Sequence, residues 1–382
     1  MSNSASLADD GMNTIQKLFR WLAVVLFIYF LLIAVGMIGA GFKAAAGDSA
    51  KEIFKFAANP FLGLLIGTLC TALIQSSSTV TSIIVGLVAG GMPVTVAVPM
   101  IMGANIGTTI TNTLVSLGHV RNKEEFQRAF AAATVHDFFN LMAVFVFLPL
   151  EIMFGLLQKS SGFFLQWISG GDSISMKGMN FIKPITKPVI NVIQDALSFL
   201  PGILPGVTLA VLGVVIILLS ITLVGKLLKV LMVGKVKEFL HRMIGRGPLA
   251  GIASGTVVTV AVQSSSTTTS LMVPLVGTGV LKLRDIYPFT LGANIGTTIT
   301  ALLAATAVIG DHAGLALQIA LIHLLFNISA VVILFGLPLT RNIPIKLAEG
   351  FSVIAAERKT LAITYILGMF FVFPGLMVFV FR

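Results

Sequence analysis

Along the chain, apolar residues come in long blocks separated by short polar segments. They do not alternate as in half-buried strands, nor form the one-sided stripes of soluble helices. Blocks near 18–41, 205–228, 314–338 and 360–381 reach about 20 residues, the length that crosses roughly 30 Å of hydrocarbon. Blocks at 94–118, 125–150 and 284–308 are as long but interrupted by Gly, Pro, Ser or Thr. Two further stretches, 60–91 and 248–280, have a polar centre between apolar arms of only about a dozen residues, too short to cross separately at about 1.5 Å per residue. These two are expected to be re-entrant hairpins, and the other blocks to be crossings.

The polar centres repeat. IQSSSTVTS at 74–82 returns as VQSSSTTTS at 262–270, GANIGTTIT at 103–111 returns at 292–300, and HDFFN at 136–140 is echoed by HLLFN at 323–327. From Gln75 to Asn105 is 30 residues and from Gln263 to Asn294 is 31, so order and spacing are both kept, the signature of an internal duplication. Each half reads as a crossing, an amphipathic basic segment (43–58; 229–246), a QSSS hairpin and two more crossings. An odd number of crossings per half requires the second half to enter from the opposite face. The expected fold is therefore an all-α polytopic membrane protein, an inverted-topology repeat with two re-entrant hairpins and with transmembrane helices broken at QSSS and GANIG. The chain divides into a cytoplasmic tail 1–17, a first repeat 18–150, an extracytoplasmic connection 151–204, a second repeat 205–338, and a cytoplasmic amphipathic segment with a last helix, 339–382.

Composition agrees with this pattern: 56% hydrophobic and 10% charged residues, with a mean hydropathy of +1.00, exclude an ordinary soluble domain. A net charge of +10 raises nucleic acid as a partner, but the positive residues sit between spans. The segments 1–20, 119–128, 226–246, 282–284 and 341–359 hold 17 of the 25 Lys and Arg and fall on one side when the N-terminus is cytoplasmic, as the positive-inside rule requires. The first apolar run, after Lys17 and Arg20, exceeds a signal-peptide core and reads as a retained helix. A lone Cys70 excludes an internal disulfide.

No Asp, Glu, Lys or Arg occurs in 56–120 or in 247–281, so the duplicated motifs are polar but uncharged. Backbone breaks at membrane depth are tolerated where they line a cavity, and hydroxyls and amides serve ions of either sign. Free N–H groups at helix starts favour an anion, and freed oxygens favour a hard cation. An anion here is expected to lack any local Lys or Arg. Burying it unpaired is costly, so co-bound cations must neutralise it, which couples the two ions. Asp137 stands inside a span where its repeat partner is Leu324, and an intramembrane carboxylate points to function. Asp137 and Asn140 share a helix face and are expected to hold a cation near a QSSS tip; the alternative is that Asp137 pairs with Arg128 or Lys123. Glycines in GANIGTT could equally serve a close helix contact. The duplicated His136 and His323 read as hydrogen-bonding residues of the fold, while Asn105 and Asn294 are secondary site candidates. A serine hydrolase is disfavoured, since no GxSxG elbow exists, and no catalytic residue or resident cofactor is expected. An oxygen-lined anion channel remains the alternative to a symporter.

The paired QSSS, the paired GANIGTT and FAAATVHDFFN resemble the type II sodium-dependent phosphate cotransporters, over roughly 60–150 and 248–338. That resemblance implies inorganic phosphate as substrate and sodium as driver, another small oxyanion being the variant reading. It implies phosphate held by Gln75, Ser76, Ser77 and Ser78 and by Gln263, Ser264, Ser265 and Ser266. Sodium would be shared by Gln75, Ser78, Gln263 and Ser264, with Asp137 and Asn140, and by Thr297 and Thr300, which match sodium-site positions. Asp at position 137 is the residue of the electrogenic members. The short, cysteine-free connection 151–204 is similar to that of a bacterial member, which implies a multi-pass protein of the inner membrane and leaves a homodimer open.

Overall fold

The computed structural model describes residues 13–46, 59–169, 182–243, 246–308 and 312–381. No strand occurs among them, and seven helices are long and apolar enough to cross a membrane: Thr14–Ala45, Val94–His119, Lys123–Phe154, Leu204–Leu228, Leu283–Thr306, Ala313–Phe335 and Lys359–Val380. These are the seven expected blocks, each shifted by a few residues. The chain is an all-α polytopic membrane protein. The spans are not equivalent: 83% of the window in Val94–His119 and 72% of that in Leu283–Thr306 are buried by the protein itself, against 17% in Lys359–Val380. The two spans carrying GANIGTT are therefore central, and the last helix is peripheral.

In chain order the helices used below are α1 (Thr14–Ala46), α2 (Pro60–Ile74), α3 (Ser77–Ala89), α4 (Val94–Thr108), α5 (Ile110–Ser116), α6 (Lys123–Phe154), α7 (Leu156–Ser169), α8 (Ile182–Ala196), α9 (Leu204–Met243), α10 (Pro248–Val262), α11 (Ser265–Ser270), α12 (Met272–Gly277), α13 (Leu283–Thr306), α14 (Ala313–Ala330), α15 (Pro338–Arg341), α16 (Ile343–Glu357), α17 (Lys359–Leu367) and α18 (Phe373–Val380). Their ends follow local chemistry. Asn59 caps α2 by accepting from Phe61 N at 2.9 Å, with Pro60 in the first turn. Asn122 caps α6 by accepting from Glu124 N and Glu125 N, and those two carboxylates lie at the positive end of the helix. Gly155 ends α6 in a left-handed conformation, φ 60°, which glycine adopts without a Cβ penalty.

Two expectations change. The basic stretch 229–243 is not a separate interfacial helix: the backbone of α9 runs on through it for 40 residues in all, since the stretch holds no proline and a single glycine, Gly234, costs only about 1 kcal/mol in a helix. Its counterpart at 43–58 lies largely outside the described residues, as do the first twelve residues of the 1–17 tail and part of the 151–204 connection. The second change concerns GANIG. The helix tightens at Thr109 in the first copy, where φ and ψ are still −78° and −15°, and α13 runs unbroken through the second. The chain opens at QSSS but stays helical at GANIG.

Glycine packing explains why. A Cβ on Gly103 would fall on Leu64 O, and one on Gly107 would lie 2.5 Å from Thr68 O; on the other side of the seam a Cβ on Gly67 would fall on Met100 O. In the second half Gly292 meets Ile252 O, Gly296 meets Thr256 O at 2.7 Å, and Gly255 meets Phe289 O. Thr68 Oγ1 donates across the first seam to Gly103 O (3.2 Å), and Thr256 Oγ1 across the second to Gly292 O (3.0 Å). The motif glycines thus let α2 lie directly on α4, and α10 on α13, which is how helices associate when lipid removes the hydrophobic drive between them.

Candidate functional site

Each QSSS motif forms a turn between two helices. Gln75 ends α2 at φ 58°, ψ 26°, and Gln263 ends α10 at φ 56°, ψ 28°. Among the described residues these are the two non-glycine positions with positive φ. Left-handed backbone costs about 1–2 kcal/mol for an L-residue, and strain of this kind gathers at functional sites. The next residue, Ser76 or Ser264, is extended and caps the following helix, accepting from Thr79 N at 3.3 Å and from Thr267 N at 3.2 Å. Both glutamine side chains are held in the same way. Gln75 Nε2 donates to Ala72 O (2.5 Å), and its Oε1 accepts from Thr111 Oγ1 (2.9 Å); Gln263 Nε2 donates to Val260 O (2.7 Å), and its Oε1 accepts from Thr300 Oγ1 (2.9 Å).

The two tips meet. A cavity of about 310 Å³ is lined by Ile74, Gln75 and Ser76 from one, by Val262, Gln263, Ser264 and Thr267 from the other, and by Ile221, Thr222, Gly225 and Lys226 of α9. Four predicted residues, Gln75, Ser76, Gln263 and Ser264, therefore share one chamber. Ser77, Ser78, Ser265 and Ser266 do not line it: they are buried in the first turns of α3 and α11. Ser266 Oγ lies 3.5 Å from Thr108 O. Thr300 reaches the chamber through Gln263, and Thr297 bonds to its own helix at Ala293 O, 3.1 Å away. Lys226 overturns the expectation of a site without a local cation. The charge comes from outside both motif stretches, on a helix whose basic residues read only as a topology signal.

Asp137 and Asn140 lie elsewhere, in the middle of α6. Asp137 is 1% exposed; Tyr365 of α17 donates to its Oδ2 at 3.0 Å, and the Thr109 hydroxyl stands beside the carboxylate without closing a hydrogen bond of good geometry on Oδ1. Pairing with Arg128 or Lys123 is not what the structure shows. Arg128 donates to Gly277 O and approaches Glu124 at 3.8 Å, while Lys123 lies 3.9 Å from Glu357. A buried carboxylate oxygen without a well-formed hydrogen bond is a position where a cation fits. The Thr71 and Thr259 hydroxyls, in equivalent turns ahead of the two glutamines, are also buried and without a partner.

Asn140 is committed to a crossed clasp between the halves. Its Nδ2 donates to Asn105 O (2.9 Å), and its Oδ1 accepts from Asn294 Nδ2 (2.7 Å). His136 Nε2 contacts Asn294 Oδ1 at 2.7 Å. Reciprocally, Asn105 Nδ2 donates to Asn327 Oδ1 (2.7 Å), and His323 Nε2 contacts Asn105 Oδ1 at 3.1 Å. Each HxxxN therefore grips the GAN asparagine of the opposite half. All six side chains are buried; Nδ1 of His136 and of His323 has no hydrogen-bond partner, but the bonds between the halves favour one arrangement. Asn105 and Asn294 join the halves and do not line the tip cavity. No cluster of three or more His, Cys, Asp or Glu side chains that could hold a metal occurs among the described residues.

Comparison with known proteins bears on which family the chain belongs to. Residues 30–169 and 216–379 match the Na+/Pi-cotransporter family. Sodium-dependent phosphate transport protein 2B of Homo sapiens is 32% identical over 448 residues, covering 94% of this chain and 65% of that protein. Sodium-dependent phosphate transport protein 2A of Rattus norvegicus is 33% identical over 442 residues, covering 98% and 69%. The 2B protein of Bos taurus is 34% identical over 449 residues, covering 94% and 64%. The chain thus spans about two thirds of the length of these relatives. No solved structure matches it significantly. The duplicated motifs, the paired tips and the match over both halves lead to one statement: the chain belongs to the Na+/Pi-cotransporter family.

Proposed function

We propose that this chain is a secondary active symporter that imports inorganic phosphate with sodium, working by alternating access around the cavity between Gln75–Ser76 and Gln263–Ser264. The observation that carries this reading is the meeting of two strained, identically braced tips, with their amides and hydroxyls, in one cavity. Hydroxyl and amide donors suit phosphate oxygens, and the start of α3 adds N–H groups and a positive dipole end. The buried Asp137 carboxylate, apart from the tip cavity, offers a negative ligand of the kind that sodium takes, and the tip oxygens offer neutral ones. Because each ion relieves the burial cost of the other, their affinities are linked, and linkage turns a sodium gradient into phosphate accumulation. Asp137 makes the cycle electrogenic by admitting a further positive charge. The N-terminus lies in the cytoplasm of a bacterial cell, so the tip cavity, near the end of the α9 span, opens inward.

The test is phosphate uptake into proteoliposomes with and without an inward sodium gradient. Symport requires internal phosphate to rise above its electrochemical equilibrium only when the gradient is present. Equilibration that ignores sodium would instead identify a channel.

A further inference from the structure

The charge balance of the tip cavity is lopsided. Neither hairpin carries an Asp, Glu, Lys or Arg across 56–120 or 247–281, and of the residues lining the cavity Lys226 alone bears a charge. It is exposed, and among the described residues it has neither a hydrogen bond nor an ion pair. Nothing on the wall cancels its charge. Its position is held by a close approach: a Cβ on neighbouring Gly225 would lie 3.3 Å from Val262 O, the carbonyl just before Gln263. Thr222, one turn back on the same face, lines the cavity as well. The second tip and α9 are thus in near contact at the place from which the lysine projects.

The lysine also belongs to a different packing unit from the tips. Its helix α9 packs chiefly along α1, whereas the hairpin arms α2 and α10 lie against α4 and α13. No residue of α1, the long first helix of the other half, lines the cavity. The first half therefore offers no equivalent cation, and the cavity has a positive wall on one side only. An ammonium is a compact, hydrated charge with three donors on a flexible stem. It suits capture of an oxyanion in a wet cleft better than rigid clamping, and a low-dielectric cleft concentrates its field.

From this placement we propose that Lys226 is a specificity-determining residue of the transport site: it draws the phosphate anion into the tip cavity on the membrane face where that cavity opens, and has no counterpart on the opposite face. The inference rests on the phosphate-transport reading above. It assigns the lysine to binding and not to the coupling step, so its removal weakens phosphate binding on one face and leaves turnover alone.

The experiment measures the phosphate KM separately for influx and efflux in oriented proteoliposomes, at fixed sodium, for wild type, K226Q and K226R. K226Q is expected to raise KM about fivefold on one face, an effect of the size expected for one unscreened charge near the site. It should leave the other face unchanged and kcat within about twofold, and K226R should restore KM. Adding choline chloride should close the gap between wild type and K226Q, because the screening length shrinks from about 10 Å at 0.1 M to about 3 Å at 1 M. A merely structural lysine would not produce that salt dependence. Unchanged KM on both faces, or a rise on both that salt does not touch, overturns the proposal. Wild-type protein that accumulates no phosphate with sodium overturns the transport reading itself, whereas active wild type with an unaltered K226Q overturns the lysine alone.

Discussion

The two halves of the molecule agree almost atom for atom where the chain turns and differ where charge is placed. At the tips, the left-handed glutamine, the serine cap and the bracing threonine recur with bond lengths within 0.2 Å of one another. Around them the halves diverge: Asp137 stands where the second half has Leu324, and Lys226 lines the tip cavity with no charged residue from the first half beside it. In the transport reading proposed above, the duplicated part would serve as a two-sided clamp, which needs equal jaws, and the unduplicated charges would give that clamp a sign and a direction, which a symmetric pair of neutral jaws cannot have.

The strongest way to break this comparison is at the helix seams. Gly67→Val and Gly255→Val each push a side chain into a backbone carbonyl that cannot swing aside, and each is expected to cost about 3 kcal/mol or more. Loss of the monodisperse peak in detergent should follow for both. If one variant is tolerated and the other is not, the seams are not equivalent.

Next comes the crossed clasp. Asn105→Ala strands His323 and Asn327, and Asn294→Ala strands His136 and Asn140. Leaving buried polar groups unpaired should lower stability by about 2–4 kcal/mol in each case. Thermal unfolding should show two similar drops, and an unequal pair would place more of the joint in one half.

Asp137→Asn sharpens the asymmetry. It keeps the shape and removes the charge, so sodium-driven uptake is expected to persist while its dependence on membrane potential disappears, a loss of about 2.3 kcal/mol per charge per 100 mV. Potential-driven uptake that survives unchanged would remove Asp137 from the charge-setting role.

Gln75→Gly and Gln263→Gly separate strain from chemistry. Glycine relieves about 1–2 kcal/mol of left-handed strain and forfeits about 1 kcal/mol of hydrogen bonding to threonine, so stability should move by no more than about 1 kcal/mol. Uptake should fall about tenfold or more if the amides are ligands, and equally for both. The smallest expected effect is that of Tyr365→Phe, which removes one hydrogen bond to Asp137, worth about 1–2 kcal/mol; it should appear as a several-fold change in the sodium concentration for half-maximal uptake.

The span positions and the tips were legible in the sequence because hydrophobic length and an exact motif repeat are local properties. A run such as LAVVLFIYFLLIAVGMIGAGF has one low-cost conformation in a bilayer, and QSSS marks a helix stop followed by a serine cap in any context that buries it. The membership of the chamber was only half legible. Ser77 and Ser78 carry the same chemistry as Ser76, but one further helical step turns them into the protein. GANIG could be read either as a break or as a close helix contact, and a second helix lying on the glycines decides for the contact.

By itself, then, the sequence determined that the protein is helical, that it lies in a membrane, that it contains two copies of one unit, and that a neutral, hydroxyl-rich tip ends the first arm of each hairpin. Only the tertiary structure decided which of those hydroxyls face a common space, that Asn140, Asn105 and Asn294 join the halves, and that Lys226 stands at the wall of the chamber. The physical reason is range. Helix formation and membrane insertion are set by residues within about one turn or one span of each other, whereas a binding cavity and a hydrogen-bond clasp depend on side chains brought together from well over a hundred residues apart.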